Sequence, residues 1–116
     1  MRPALLTAAF LFASSCAGIP LPRESLTDPS ALLFNGYSKP DVTCYKCHGG
    51  DGKGTFRGAN LVKVVPGSDE KKMTAALMEG KGFMSAYNDK LSAEEMAALV
   101  AWMRAAFPAP AVAPAP

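Results

Sequence analysis

A Cys-x-x-Cys-His pattern occurs once in this chain of 116 residues, as Cys44-Tyr45-Lys46-Cys47-His48. Thiols three positions apart on one helical turn share a face, and the next imidazole falls just below them. Two thiols so placed can each form a thioether to the vinyl groups along one haem edge, while His48 supplies the proximal nitrogen to the iron. Cys44, Cys47 and His48 are therefore expected to bind one covalently attached haem c. Other uses of the pattern fit poorly. A structural zinc site needs four ligands, yet His48 is the only histidine and Cys16 lies far upstream. A thioredoxin-like pair wants a βαβ setting, and no strand–helix–strand pattern surrounds this one. A plain disulfide would explain neither His48 nor the glycines that follow it.

Composition explains why such a staple is useful. Apolar residues make up 49% of the chain and charged residues 19%, which excludes wholesale disorder. Ten glycines and ten prolines argue for short elements and much loop. A domain this small builds only a modest core, and a covalent cofactor adds to it. The net charge of +2 gives no strongly basic surface, so nucleic acid is not expected as a partner.

Residues 1–15 read as a secretory signal: Arg2, an apolar run from Ala4 to Ala13, then Ser14 and Ser15. The run is too short to span a bilayer. Leu11-Phe12-Ala13-Ser14-Ser15-Cys16 resembles the lipobox of bacterial lipoproteins, with Ala13 where that group prefers leucine. The resemblance implies cleavage before Cys16 and acylation of its thiol. Cysteine arithmetic agrees, because pairing Cys44 with Cys47 leaves Cys16 alone in an oxidising compartment. The protein is thus expected on the periplasmic side of a bacterial membrane, held by a lipid anchor. Residues 16–27 are expected as a linker, 28–107 as the domain and 108–116 as an extended Pro/Ala-rich tail.

Within the domain, Thr27-Asp28-Pro29 reads as a helix start, with a helix over 29–35 stopped by Gly36. A second helix is expected over 69–79, with Met73 and Leu77 on one face. The last is the clearest. Ser92-Ala93-Glu94-Glu95 is a capping box, and Leu91 with Met96 forms its hydrophobic staple. Met96, Leu99, Val100, Met103 and Phe107 then recur at helical spacing and are expected to bury, with Trp102 beside them. Residues 49–58 contain five glycines and read as loop. No P-loop lysine and hydroxyl follow them, so close backbone approach to the haem is the better reading.

Counting limits the sixth iron ligand. With one histidine, bis-histidine ligation is excluded, leaving methionine, lysine, water, the N-terminus or nothing. Helical Met73, Met96 and Met103 read as core, with Met78 a fallback ligand. Met84 instead follows the flexible Gly80-Lys81-Gly82-Phe83.

Residues 28–107 resemble the class I cytochromes c, small monohaem electron carriers. The likeness rests on Cys44 to Gly54, on Gly58-Ala59-Asn60-Leu61, on Gly82-Phe83-Met84 and on the last helix with Leu99 to Arg104. It implies an all-α domain of three to four short helices packed around one covalently bound haem. It also implies Met84 as sixth ligand, although Ser85 follows where the family often has proline. Ala59 stands where a proline carbonyl often orients the proximal imidazole, and Leu61 would pack on the haem face. In the family an aromatic at Trp102 packs where the first and last helices cross. The implied function is single-electron transfer between redox proteins, without a catalytic constellation of its own. Two alternatives remain: a small-gas-binding haem protein with an open sixth site, and a haem subunit of an oxidase or dehydrogenase. Between Lys39 and Lys90 nine basic residues face six acidic ones, a mild excess that could steer docking or simply be solvated.

Overall fold

The computed structural model describes residues 18–109. The expected signal peptide, Cys16 and all of the tail beyond Ala109 lie outside them. Among the described residues there are five short α-helices, two 3-10 turns and no strand: α1 (Pro29–Phe34), α2 (Tyr45–His48), α3 (Leu61–Val64), α4 (Glu70–Glu79) and α5 (Ala93–Ala106). None of these helices is long and apolar enough to cross a membrane.

The longer helices begin where their capping side chains stand. Asp28 accepts from Ser30 N–H at 2.8 Å, ahead of Pro29 at the first position of α1. Gly36, at φ +79°, turns the chain after α1. Asp69 caps α4 through Lys72 N–H at 2.7 Å. Ser92 and Glu95 form the expected reciprocal box at the start of α5. The turns α2 and α3 are single helical turns, too short to stand without the packing around them.

The core follows the spacing read from sequence. Helix α5 packs against α1, α4 and the 3-10 turn Val65–Gly67. Met96, Leu99, Val100, Met103 and Phe107 are buried, as are Leu91 and, from α4, Met73 and Leu77. Met78 faces out. Trp102 bridges the helix crossing, 5.3 Å from the Phe34 ring and 5.8 Å from Phe107.

Two connecting segments are more tightly held than their composition suggests. In the stretch between Tyr37 and Thr43, Val42 is fully buried. Lys39 Nζ donates to Lys90 O at 3.0 Å and to Glu95 Oε1 at 2.7 Å, tying this stretch to the start of α5. Residues 18–21, within the segment read as linker, are hydrogen-bonded to α2, the loop after it and the end of α1. There Leu21 N–H donates to Asn35 Oδ1 at 2.9 Å, and Asn35 Nδ2 donates to Ala31 O. Asn35 is buried, and these bonds satisfy its carboxamide.

Candidate haem site

Cys44 is the N-cap of α2, and Cys47 and His48 lie within it. The turn is closed by His48 N–H donating to Cys44 O at 3.0 Å and Gly49 N–H to Tyr45 O at 2.8 Å. Both cysteines are free thiols, partly buried. Burial pushes the Cys44 thiol up to about 11, with the nearby Cys47 adding slightly and a backbone hydrogen bond opposing.

The glycine-rich loop folds back under this turn. Gly49, Gly52 and Gly54 have positive φ. Gly54 N–H donates to His48 O at 2.7 Å, and Leu61 N–H donates to Gly52 O at 2.7 Å. Thr55 Oγ1 donates to Cys47 O at 2.6 Å. The loop thereby brings Ala59 O to 2.8 Å from His48 Nδ1. A carbonyl only accepts, so Nδ1 carries a proton, and in the neutral ring the lone pair then lies on Nε2. No proline is required for this contact, because the loop presents the carbonyl through backbone geometry.

Met84 stands at the end of a tight turn. Met84 N–H donates to Lys81 O at 3.0 Å, and Lys81 N–H returns to Met84 O at 3.1 Å. Gly82 takes φ +60° inside that turn, leaving Phe83 fully exposed at its tip. Gly80 has φ +77°, and a Cβ there would lie 2.5 Å from Met84 O, so only glycine lets the turn close onto the end of α4. Met84 is half-buried, packed on the hydrophobic core together with Cys44, Tyr45, Leu61 and Tyr87. Cys44, Leu61 and Met84 thus border one core, while Met78 is exposed on α4. Cys16 lies outside the described residues.

Sequence reasoning did not single out Tyr87. Its N–H donates to Leu77 O at 2.7 Å. Its phenol is raised above the usual range by burial first, then by Cys44, Cys47 and Asp41, so it lies within electrostatic reach of both cysteines. Gly58 was noted only as part of a motif. A Cβ there would meet the Cys47 carbonyl and Cβ, so glycine is needed for the loop to lie against the cysteine turn.

The donor set suits haem c: two unpaired thiols on one turn and an imidazole with a fixed tautomer. The family described as cytochrome c oxidase, cbb3-type, subunit III matches residues 34–103. The chain belongs to this family of c-type cytochrome domains. It accordingly carries covalently bound haem c with its iron, and it is an electron carrier. No curated protein matches it. Among solved structures it is similar to the KustC0563 c-type cytochrome, at 23% identity and TM-score 0.55, covering 67% of this chain and 95% of that one. Cytochrome c6C from Synechococcus sp. PCC 7002 is similar at 30% identity and TM-score 0.50, covering 64% of this chain and 88% of that one. Cytochrome cL from the methylotroph Methylophaga aminisulfidivorans is similar at 21% identity and TM-score 0.52, covering 66% of this chain but 49% of that one. The likeness to the first and third is one of fold. Over the described residues this cytochrome is all-α.

Proposed function

We propose that this cytochrome is exported, anchored at Cys16 on the periplasmic side of a bacterial membrane, and passes single electrons between redox proteins using His48 and Met84 as axial ligands. The observation that carries the reading is the 2.8 Å contact from His48 Nδ1 to Ala59 O. It fixes the imidazole plane and tautomer, leaves Nε2 as the metal-facing nitrogen, and raises the basicity of that nitrogen.

Cys44 and Cys47 would hold the cofactor through two thioethers, which a domain with so small a core needs for retention. Bound haem supplies reversible one-electron oxidation and reduction at its iron. Met84 offers a thioether, which favours the ferrous state and raises the potential relative to a second imidazole. Its two-bond turn restrains the backbone that carries the thioether. Leu61, half-buried at the start of α3, would pack its side chain on the cofactor face. No second histidine stands ready as a distal base, in keeping with a carrier rather than an enzyme.

The family description favours one further reading, a haem subunit within a cytochrome c oxidase. Isolation of a stable complex from native membranes would support it.

Visible spectra of the protein, matured with its haem, test the ligation. Sharp low-spin bands when reduced and the weak far-red band of methionine–ferric ligation when oxidised are expected. Met84→Ala is expected to abolish the far-red band and lower the potential. A wild-type spectrum that is high-spin and shifts with carbon monoxide would overturn Met84 ligation in favour of gas binding.

A further inference from the structure

The segment ahead of α1 is bound to the haem-attachment turn through its backbone. Gly18 N–H donates to Lys46 O at 2.7 Å, and Gly50 N–H donates to Ile19 O at 3.0 Å. Leu21 N–H donates to Asn35 Oδ1 at 2.9 Å, and Tyr37 Oη–H donates to Leu21 O at 2.7 Å. The fit is close: a Cβ on Gly18 would overlap Tyr45 O and the Gly49 backbone, and one on Gly50 would lie 2.5 Å from Leu21 N.

This segment leaves little free chain before Cys16. Cys16 lies two residues ahead of Gly18, a reach of at most about 7 Å at about 3.6 Å per residue. A free linker over residues 16–27 would have allowed roughly 40 Å. Residues 17–22, Ala-Gly-Ile-Pro-Leu-Pro, carry no charge, and Arg23 is the first cation after Cys16. Ile19 is 81% exposed, and Leu21 is also exposed. An uncharged strip with outward aliphatic side chains, ending in an arginine, suits the boundary between acyl chains and anionic headgroups.

We infer that residues 18–22 form a lipid-contacting strap that seats the haem-attachment turn at the bilayer surface. The distance from haem to membrane is then set by the fold and not by a flexible tether. This inference rests on acylation of Cys16.

The test uses the full-length, matured and acylated protein in vesicles of phosphatidylethanolamine and phosphatidylglycerol containing a trace of headgroup-fluorescent lipid. Haem quenches that emission by energy transfer, which falls steeply with distance. The comparison is a variant with twelve Gly/Ser residues inserted between Ala17 and Gly18, which adds about 20 Å of root-mean-square reach. Mass spectrometry reads acylation of Cys16, and visible spectra check the haem site, in both proteins. The expected result is strong quenching in the wild type and loss of most of it in the variant, with both acylated and spectrally identical. Exposed Ile19, changed as Ile19→Glu, is expected to give a partial loss. Equal quenching in wild type and insertion variant, both acylated, overturns the strap and leaves the anchor standing. A wild-type Cys16 without acyl mass overturns both.

Discussion

Gly58→Ala tests whether the loop beneath the haem turn sets the properties of the proximal histidine. The added Cβ would lie 2.5 Å from Cys47 O, 2.7 Å from its carbonyl carbon and 2.9 Å from Cys47 Cβ. These atoms belong to the helical turn that carries Cys44 and Cys47, so they cannot swing aside as the end of a long side chain would. The loop must move instead. It is held there by Thr55 N–H donating to Gly58 O at 3.1 Å and Thr55 Oγ1 donating to Cys47 O at 2.6 Å. The next residue is Ala59, whose carbonyl receives His48 Nδ1 at 2.8 Å.

Overpacking of this kind costs about 1–3 kcal/mol, and a weakened hydrogen bond about 1 kcal/mol more. For a domain of this size that lowers Tm by on the order of 10–20 °C. With His48 as the proposed axial ligand, loss of the Nδ1 contact would also lower imidazole basicity, stabilise ferric iron less and raise the reduction potential. Gly67→Ala is the matched control, since its Cβ meets nothing within 4 Å and its φ is not left-handed. That change is expected to stabilise by about 0.4–1 kcal/mol through the unfolded chain. Calorimetry and spectroelectrochemistry of the holoproteins read both quantities. A Gly58→Ala protein with wild-type Tm and potential would refute the account.

Removing the cap of the longest helix by Ser92→Ala is expected to cost about 1 kcal/mol, seen as a lower urea midpoint at unchanged slope. Phe34→Ala removes a ring that is 1% exposed and packed on Trp102; a loss of about 3–5 kcal/mol is expected from denaturant titration. The Glu95 carboxyl is held below its ordinary value of 4.5, first by the hydrogen bond from Lys39 and then by Ser92 N–H. Its contribution to stability is therefore present above pH 4.5 and lost as pH falls through the lower folded value. Urea titrations above pH 4.5 and below the lowered folded value should show that loss in the wild type and a flatter response in Glu95→Gln.

The parts of this cytochrome that could be read from sequence are those whose chemistry is local. The cysteine–histidine turn carries its spacing in five consecutive residues, and the caps of α1, α4 and α5 sit within three residues of the bonds they make. The burial of Met96, Leu99, Val100 and Met103 follows from helical period alone. Lys39 gave no such sign, because its partners Lys90 and Glu95 lie more than fifty residues away. Asn35 read as an ordinary helix end, yet its buried carboxamide joins α1 to the strap. Residues 18–22 read as linker because they lack charge, period and capping signals. Their attachment runs largely through backbone amides, which every residue has and no side chain advertises.

The Met84 turn shows how a local departure from a family pattern need not carry structural weight. The resemblance led one to look for proline after the methionine, and Ser85 stands there instead. Proline would stiffen the turn by fixing φ. Here the paired bonds between Lys81 and Met84, the left-handed Gly82 and the close approach of Gly80 to Met84 O supply restraint from the preceding residues. The same exchange occurs at Ala59, where a carbonyl presented by the glycine loop takes the place of one presented by proline. In both places the proposed ligation depends on the position of one atom, a sulfur or an oxygen. The glycines that allow the backbone to reach that position are then the residues to change when testing the site, ahead of the non-proline residues beside them.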